Sequence, residues 1–78
     1  MTKQKNMSVL IRELRSRMDL SQEKFAARLG VSWPTINRWE QKKVQPSQLA
    51  VKQIKVLLED LGKKGRDLLE TYFSAEEI

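Results

Sequence analysis

The chain has 78 residues, 15 Lys or Arg against 10 Asp or Glu, and a formal charge of +5. That length supports one domain and a modest core, so about five short helices around a single cluster is what it can hold. The absence of Cys excludes disulfides and thiolate chemistry, and the absence of His removes the common neutral-pH proton shuttle and the usual zinc ligand. Apolar runs reach only three residues, as at Val9-Leu10-Ile11 and Val56-Leu57-Leu58, too short for a signal-peptide core or a membrane span.

The charge is unevenly placed. Residues 1–43 carry ten Lys or Arg against Glu13, Asp19, Glu23 and Glu40, whereas residues 44–78 carry five against six acids. A polyanion is therefore the favoured partner, and the first half of the chain is the half that meets it.

In chain order, residues 1–7 read as a flexible basic arm with Lys3 and Lys5. A first helix is expected from Ser8 to Met18, with Leu10, Ile11, Leu14 and Met18 at helical spacing and Arg12, Arg15 and Arg17 on the other faces. Arg17 reads as a solvated surface residue. Ser21 is an N-cap candidate for a second helix whose apolar positions are Phe25, Ala26 and Leu29. Gly30 ends that helix, because a residue without Cβ takes the left-handed conformation most cheaply. Val31 reads as a small buried plug. Ser32 then caps a third helix, about 33–41, with Pro34 in the first turn and Ile36 and Trp39 on one face.

The stretch 42–46 is a cationic loop with Lys42 and Lys43. A fourth helix follows Ser47, with Ala50, Ile54, Leu57, Leu58 and Leu61 inward and Gly62 as its end. Lys63-Lys64-Gly65 reads as a polar hinge. A last helix, Arg66 to Phe73, presents Leu68, Leu69, Tyr72 and Phe73. Leu68 and Leu69 are assigned to the core, and Tyr72 and Phe73 to partly exposed positions. The same four residues are the candidate dimer surface. Residues 74–78 form an acidic tail, and the domain itself is placed at 8–73.

Two short helices joined through a Gly-containing turn fit the helix-turn-helix pattern, here at 21–41. The residues Gln22, Ala26, Gly30, Ile36 and Trp39-Glu40 stand at the spacing of the phage repressor and Cro type, often called XRE, and the chain resembles that family there. The resemblance implies an all-α, compact five-helix, lambda-repressor-like domain. It implies that the third helix lies in a major groove, and that such proteins bind as twofold dimers. It also implies an ion pair between Arg15 and Glu40, and a core role for the aromatic Trp39. Phe25, Ala26, Leu29, Gly30, Val31, Ile36 and Trp39 are then the structural motif core. One departure stands out: the family usually has Gly where this chain has Lys42, so the third helix is expected either to run on or to end in a different turn.

On that fold the candidate base contacts are Trp33, Pro34, Asn37 and Arg38. Arg38 fits guanine O6 and N7 in bidentate fashion. Asn37 fits adenine or a phosphate. The Trp33 indole fits thymine methyl groups, the alternative being that it folds back on the second helix as a staple. The candidate phosphate contacts are Gln22, Ser32, Thr35, Lys42 and Lys43, with Gln22 at a helix N-terminus where free N–H groups favour an anion.

The function expected is sequence-specific binding of double-stranded DNA by a cytoplasmic transcriptional regulator. The alternative is an antitoxin-type or other protein-interaction module that also binds its own operator. With no glycine-rich phosphate loop and no metal-ligand cluster, the chain reads as a non-enzyme without metal, cofactor or small-molecule ligand.

Overall fold

The computed structural model describes residues 7–73. These form five α-helices: α1 (Met7–Arg17), α2 (Gln22–Leu29), α3 (Trp33–Glu40), α4 (Gln48–Asp60) and α5 (Arg66–Phe73). A 3₁₀ turn, Gly62–Gly65, joins the last two, and the described residues contain no strand.

Serine sets three of the helix starts. Ser21, Ser32 and Ser47 have extended backbones, and each Oγ accepts from the N–H three residues on, at Lys24, Thr35 and Ala50. Each such cap satisfies a donor that the helix cannot pair itself and stabilises by about 1 kcal/mol.

The first three helices stop in the same way. After α1, α2 and α3 a left-handed residue, Asp19, Gly30 or Lys42, turns the chain. Its N–H and the next one fold back onto the last helical turn, as Gly30 N to Ala27 O at 3.3 Å and Val31 N to Ala26 O at 3.0 Å. This is the Schellman arrangement. Lys42 N bonds Trp39 O at 3.2 Å and Lys43 N bonds Arg38 O at 3.0 Å, with Lys42 at φ 67°. The missing glycine therefore changes neither the helix end nor the turn. Lysine adopts the backbone that glycine would.

Leu10, Ile11, Leu14, Phe25, Ile36, Ile54 and Leu58 are fully enclosed and form the centre of one core. Ala26 and Trp39 join it, and the small Ala26 allows the close approach of α2 and α3.

Several expectations need correction. Met7 lies in helix α1 with its side chain buried in the core, so it belongs to the domain and not to the expected arm. Residues 1–6 and the acidic tail, 74–78, lie outside the described residues. Val31 is only half-buried, since the left-handed turn at Gly30 leaves it at the rim of the core. Phe73 is buried, at 2% exposure, because it closes the end of the core with Lys55 Nζ 5.8 Å from its ring centroid. Leu68 is buried as well, so two of the four residues offered for a dimer surface are spent inside the domain; Leu69 and Tyr72 are half-buried.

A further correction concerns Arg17, which is not a free surface cation. Its Nε and Nη atoms bond Glu13, Asp67 and the Lys64 carbonyl, the last at 2.7 Å. The ion pair with Asp67 holds the guanidinium pKa well above its ordinary value and draws the Asp67 carboxyl below its own. Helix α1 is thereby pinned to the 3₁₀ turn and the start of α5. The turn itself is no hinge: Gly65 is buried against α4.

Candidate nucleic-acid interface

Helix α3 turns about 100° per residue, so Trp33, Pro34, Asn37 and Arg38 fall on one arc while Ile36 and Trp39 fall on the opposite one. Ile36 is fully buried and Trp39 is 5% exposed, which fixes the rotation of the helix. The opposite arc then faces outward: Trp33, Pro34 and Arg38 are exposed, and Asn37 is half-buried.

The inner end of this arc is held by a carboxylate. Glu40, at 8% exposure, accepts from Arg15 Nε at 2.8 Å and from Arg15 Nη2 at 3.2 Å, a bidentate pair. Arg15 Nη1 also donates to the Leu20 carbonyl at 3.1 Å. One guanidinium therefore ties α1, the α1–α2 turn and the end of α3. Glu40 takes a third bond from Gln22 Nε2 at 2.9 Å, which adds the start of α2 to the clamp.

Gln22 is engaged on both sides of its amide. Its Oε1 accepts from the Trp33 indole N–H at 2.9 Å, and its Nε2 also approaches Asn37 Oδ1 at 3.4 Å. The amide orientation follows from its neighbours, since an indole N–H only donates and a carboxylate only accepts. The side chain expected to reach a phosphate is thus fully occupied within the protein, and only the backbone at the start of α2 is left for an anion.

Trp33 meets both of the readings weighed for it. Its N–H is folded back onto α2, yet the residue is 48% exposed, so much of the ring remains open to solvent. Asn37 Oδ1 accepts from Gln22 and, at 3.3 Å, from Gln41 Nε2. Its Nδ2 makes no hydrogen bond among the described residues. That polarity suits a phosphate oxygen or a purine N7 better than the two-way pairing with adenine, which needs the Oδ1 as well.

Ser32 and Thr35 share a hydroxyl–hydroxyl bond of 2.9 Å, and both belong to the cap of α3. Lys42 and Lys43 stand exposed just past the other end of the helix. Arg38 is exposed and has no ion-pair partner among the described residues.

Residues 11–62 match the family described as helix-turn-helix, of the XRE type. The chain belongs to that family. The match runs from within α1 to the end of α4 and so includes the clamp on Glu40 and the whole exposed arc of α3. The helix-turn-helix family is one of DNA-binding regulatory domains, which assigns this protein to the DNA-binding transcription regulators. No curated protein and no solved structure matches the chain. No described helix is long and apolar enough to cross a membrane.

Two features of the interface are absent from the sequence reading. One is the identity of Gln22 as the residue of α2 to which Trp33 bonds. The two residues are the first of α3 and of α2, and a helix-turn-helix brings those first turns together, so the eleven-residue separation carried the signal. The other is Gln41, which steadies Asn37 from the i+4 position.

Proposed function

We propose that the protein binds double-stranded DNA in a sequence-specific manner, with α3 in the major groove, and acts as a transcriptional regulator in the cytoplasm. The observation that carries this reading is the exposed arc of Trp33, Pro34, Asn37 and Arg38 on a helix whose rotation is fixed by buried Ile36 and Trp39. A base-reading helix must present a few side chains in a set orientation, and a helix that could roll about its axis would blur the pattern it reads.

Within the proposal each side chain has a distinct role. Arg38, without an ion-pair partner among the described residues, takes guanine O6 and N7. Asn37 donates through Nδ2 to a phosphate or a purine N7. Pro34 adds shape and apolar contact, and Trp33 packs on thymine methyl groups. Lys42 and Lys43 hold the phosphates at the far end of α3. Ser32, Thr35 and the backbone at Gln22 hold them at the near ends of α3 and α2. The acting unit is a pair of domains on two half-sites about one helical turn, roughly 34 Å, apart.

Selection of bound sequences from a random duplex pool tests the reading. The wild type is expected to enrich a twofold site with thymine and one guanine in each half. Arg38→Ala should relax the guanine position and cost about 1–3 kcal/mol there. Equal loss across all sequences would make Arg38 a phosphate contact, and no enrichment by the wild type would overturn specific recognition altogether.

A further inference from the structure

The indole of Trp33 has a single polar group, its N–H, and that group is a donor only. In this structure the donor is already taken, because it points at Gln22 Oε1 at 2.9 Å. The exposed remainder of the ring is therefore purely apolar. Gln22 is in turn held by Glu40, itself buried and bound by Arg15. A chain of bonds from α1 through α3 to α2 thus ends on the one aromatic ring of the exposed arc.

We propose that Gln22 is a specificity-determining residue that touches no base: it withdraws the only donor of Trp33 and fixes the ring so that it favours a thymine methyl over any base-edge acceptor. This rests on the reading that the arc of α3 binds DNA. The chemistry decides the preference. In the major groove guanine N7 and O6, adenine N7 and thymine O4 all seek donors, whereas the thymine methyl seeks an apolar surface. An indole with its N–H free would be drawn to the acceptors. An indole with its N–H bonded offers them nothing. The same bond removes the ring's rotational freedom before DNA arrives, so less ordering remains to oppose binding.

The base position read by Trp33 is first located as the one whose preference disappears in Trp33→Ala during random-duplex selection. At that position Gln22→Met, close in size but unable to accept, should lower the thymine preference several-fold while the position relaxed in Arg38→Ala keeps its guanine. Trp33→Phe keeps an apolar ring with no N–H to offer, so it should retain the thymine preference at lowered affinity, and adding Gln22→Met to it should change that preference no further. Nitrogen-15 spectra of the free protein supply a readout independent of DNA: the Trp33 indole proton should exchange slowly in the wild type and quickly in Gln22→Met. Unchanged base preferences in Gln22→Met, with affinity lowered equally for every sequence, would overturn the role given to Gln22 and leave it a phosphate or packing residue. Should Gln22→Met fail to fold, loss of the thymine preference in the donor-free Trp33→Phe would overturn it equally. A wild-type pool without any preference would instead remove the DNA-reading on which the inference stands.

Discussion

Lys42 occupies a left-handed backbone position, φ 67°, where the Cβ of an L-residue meets the following carbonyl and costs about 1–2 kcal/mol. Nothing in the fold requires a side chain there, since the two backbone bonds of the turn would form as well with glycine. What lysine adds is a positive charge just beyond the last turn of α3. Backbone strain of this kind is most readily understood where the side chain serves a function. Lys42→Gly should therefore separate the two effects. Removing the Cβ contact, less the extra freedom that glycine has when unfolded, should raise stability by about 0.5–1 kcal/mol. Affinity for DNA should fall meanwhile, with the salt dependence shallower by about one. Denaturant titration at unchanged m-value and binding at several salt concentrations check both halves. A destabilised variant would contradict the strain argument, and unaltered binding would remove Lys42 from the interface. Asp19 shows the same backbone at the end of α1, with φ 58°, but aspartate tolerates that region better through local hydrogen bonding.

At the scale of elements, one close joint lies outside the motif, between α4 and the 3₁₀ turn that follows it. A Cβ built on Gly65 would lie 2.6 Å from the Leu58 carbonyl and 3.2 Å from Leu61 Cβ. The first of these neighbours is backbone inside a helix, which cannot yield cheaply. Gly65→Ala should thus cost about 1–3 kcal/mol by overpacking, despite the better helix propensity of alanine. A thermal or chemical melt would show it; a stabilised variant would mean that the turn slides on α4. The joint also marks where sequence reasoning reaches its end. Serine caps, Gly30 and the apolar spacing of Ile11, Leu14, Ile36 and Ile54 are local signals, and they place α1 to α5 within a residue or two. Lys63-Lys64-Gly65 looks equally polar and flexible whether it swings free or packs, because close approach depends on what lies opposite. Arg17 makes the same point, with its partners Lys64 and Asp67 lying 47 and 50 residues away. Tyr72 and Phe73 are adjacent apolar residues that point about 100° apart on a helix, so one faces inward, and pattern alone does not say which. In the site, by contrast, the outward arc of α3 is legible from Ile36 and Trp39. The state of its donors, taken at Trp33 and free at Asn37 Nδ2, depends on Gln22 and Gln41 and appears only in three dimensions.

Across the whole molecule the folded structure sharpens what net charge can say about the partner. Arg15 and Arg17 are committed to Glu40 and to Asp67 and Glu13, so they add little to the field beyond the surface. Arg12, Lys24, Arg28, Arg38, Lys42 and Lys43 have no ion-pair partner among the described residues of the basic half, and they carry its effective charge. Only some of them lie on the α3 face, and a cation on another face releases no counterion when α3 meets a groove. The number of phosphates neutralised should therefore be far below the chain's count of basic residues. With Lys42 and Lys43 on phosphates, and one further cation at most, the slope of log affinity against log salt should be about −2 to −3 per bound domain, and twice that for a pair on two half-sites. Charge reversal at Arg66, on α5, which packs on α4 and the 3₁₀ turn, should leave that slope unchanged, whereas Lys43→Ala should reduce it by about one per domain. Binding measured across low to moderate salt decides the matter. A flat curve would remove the phosphate contacts from the proposal, and a slope as steep as the total basic count would mean diffuse attraction to DNA rather than docking through α3.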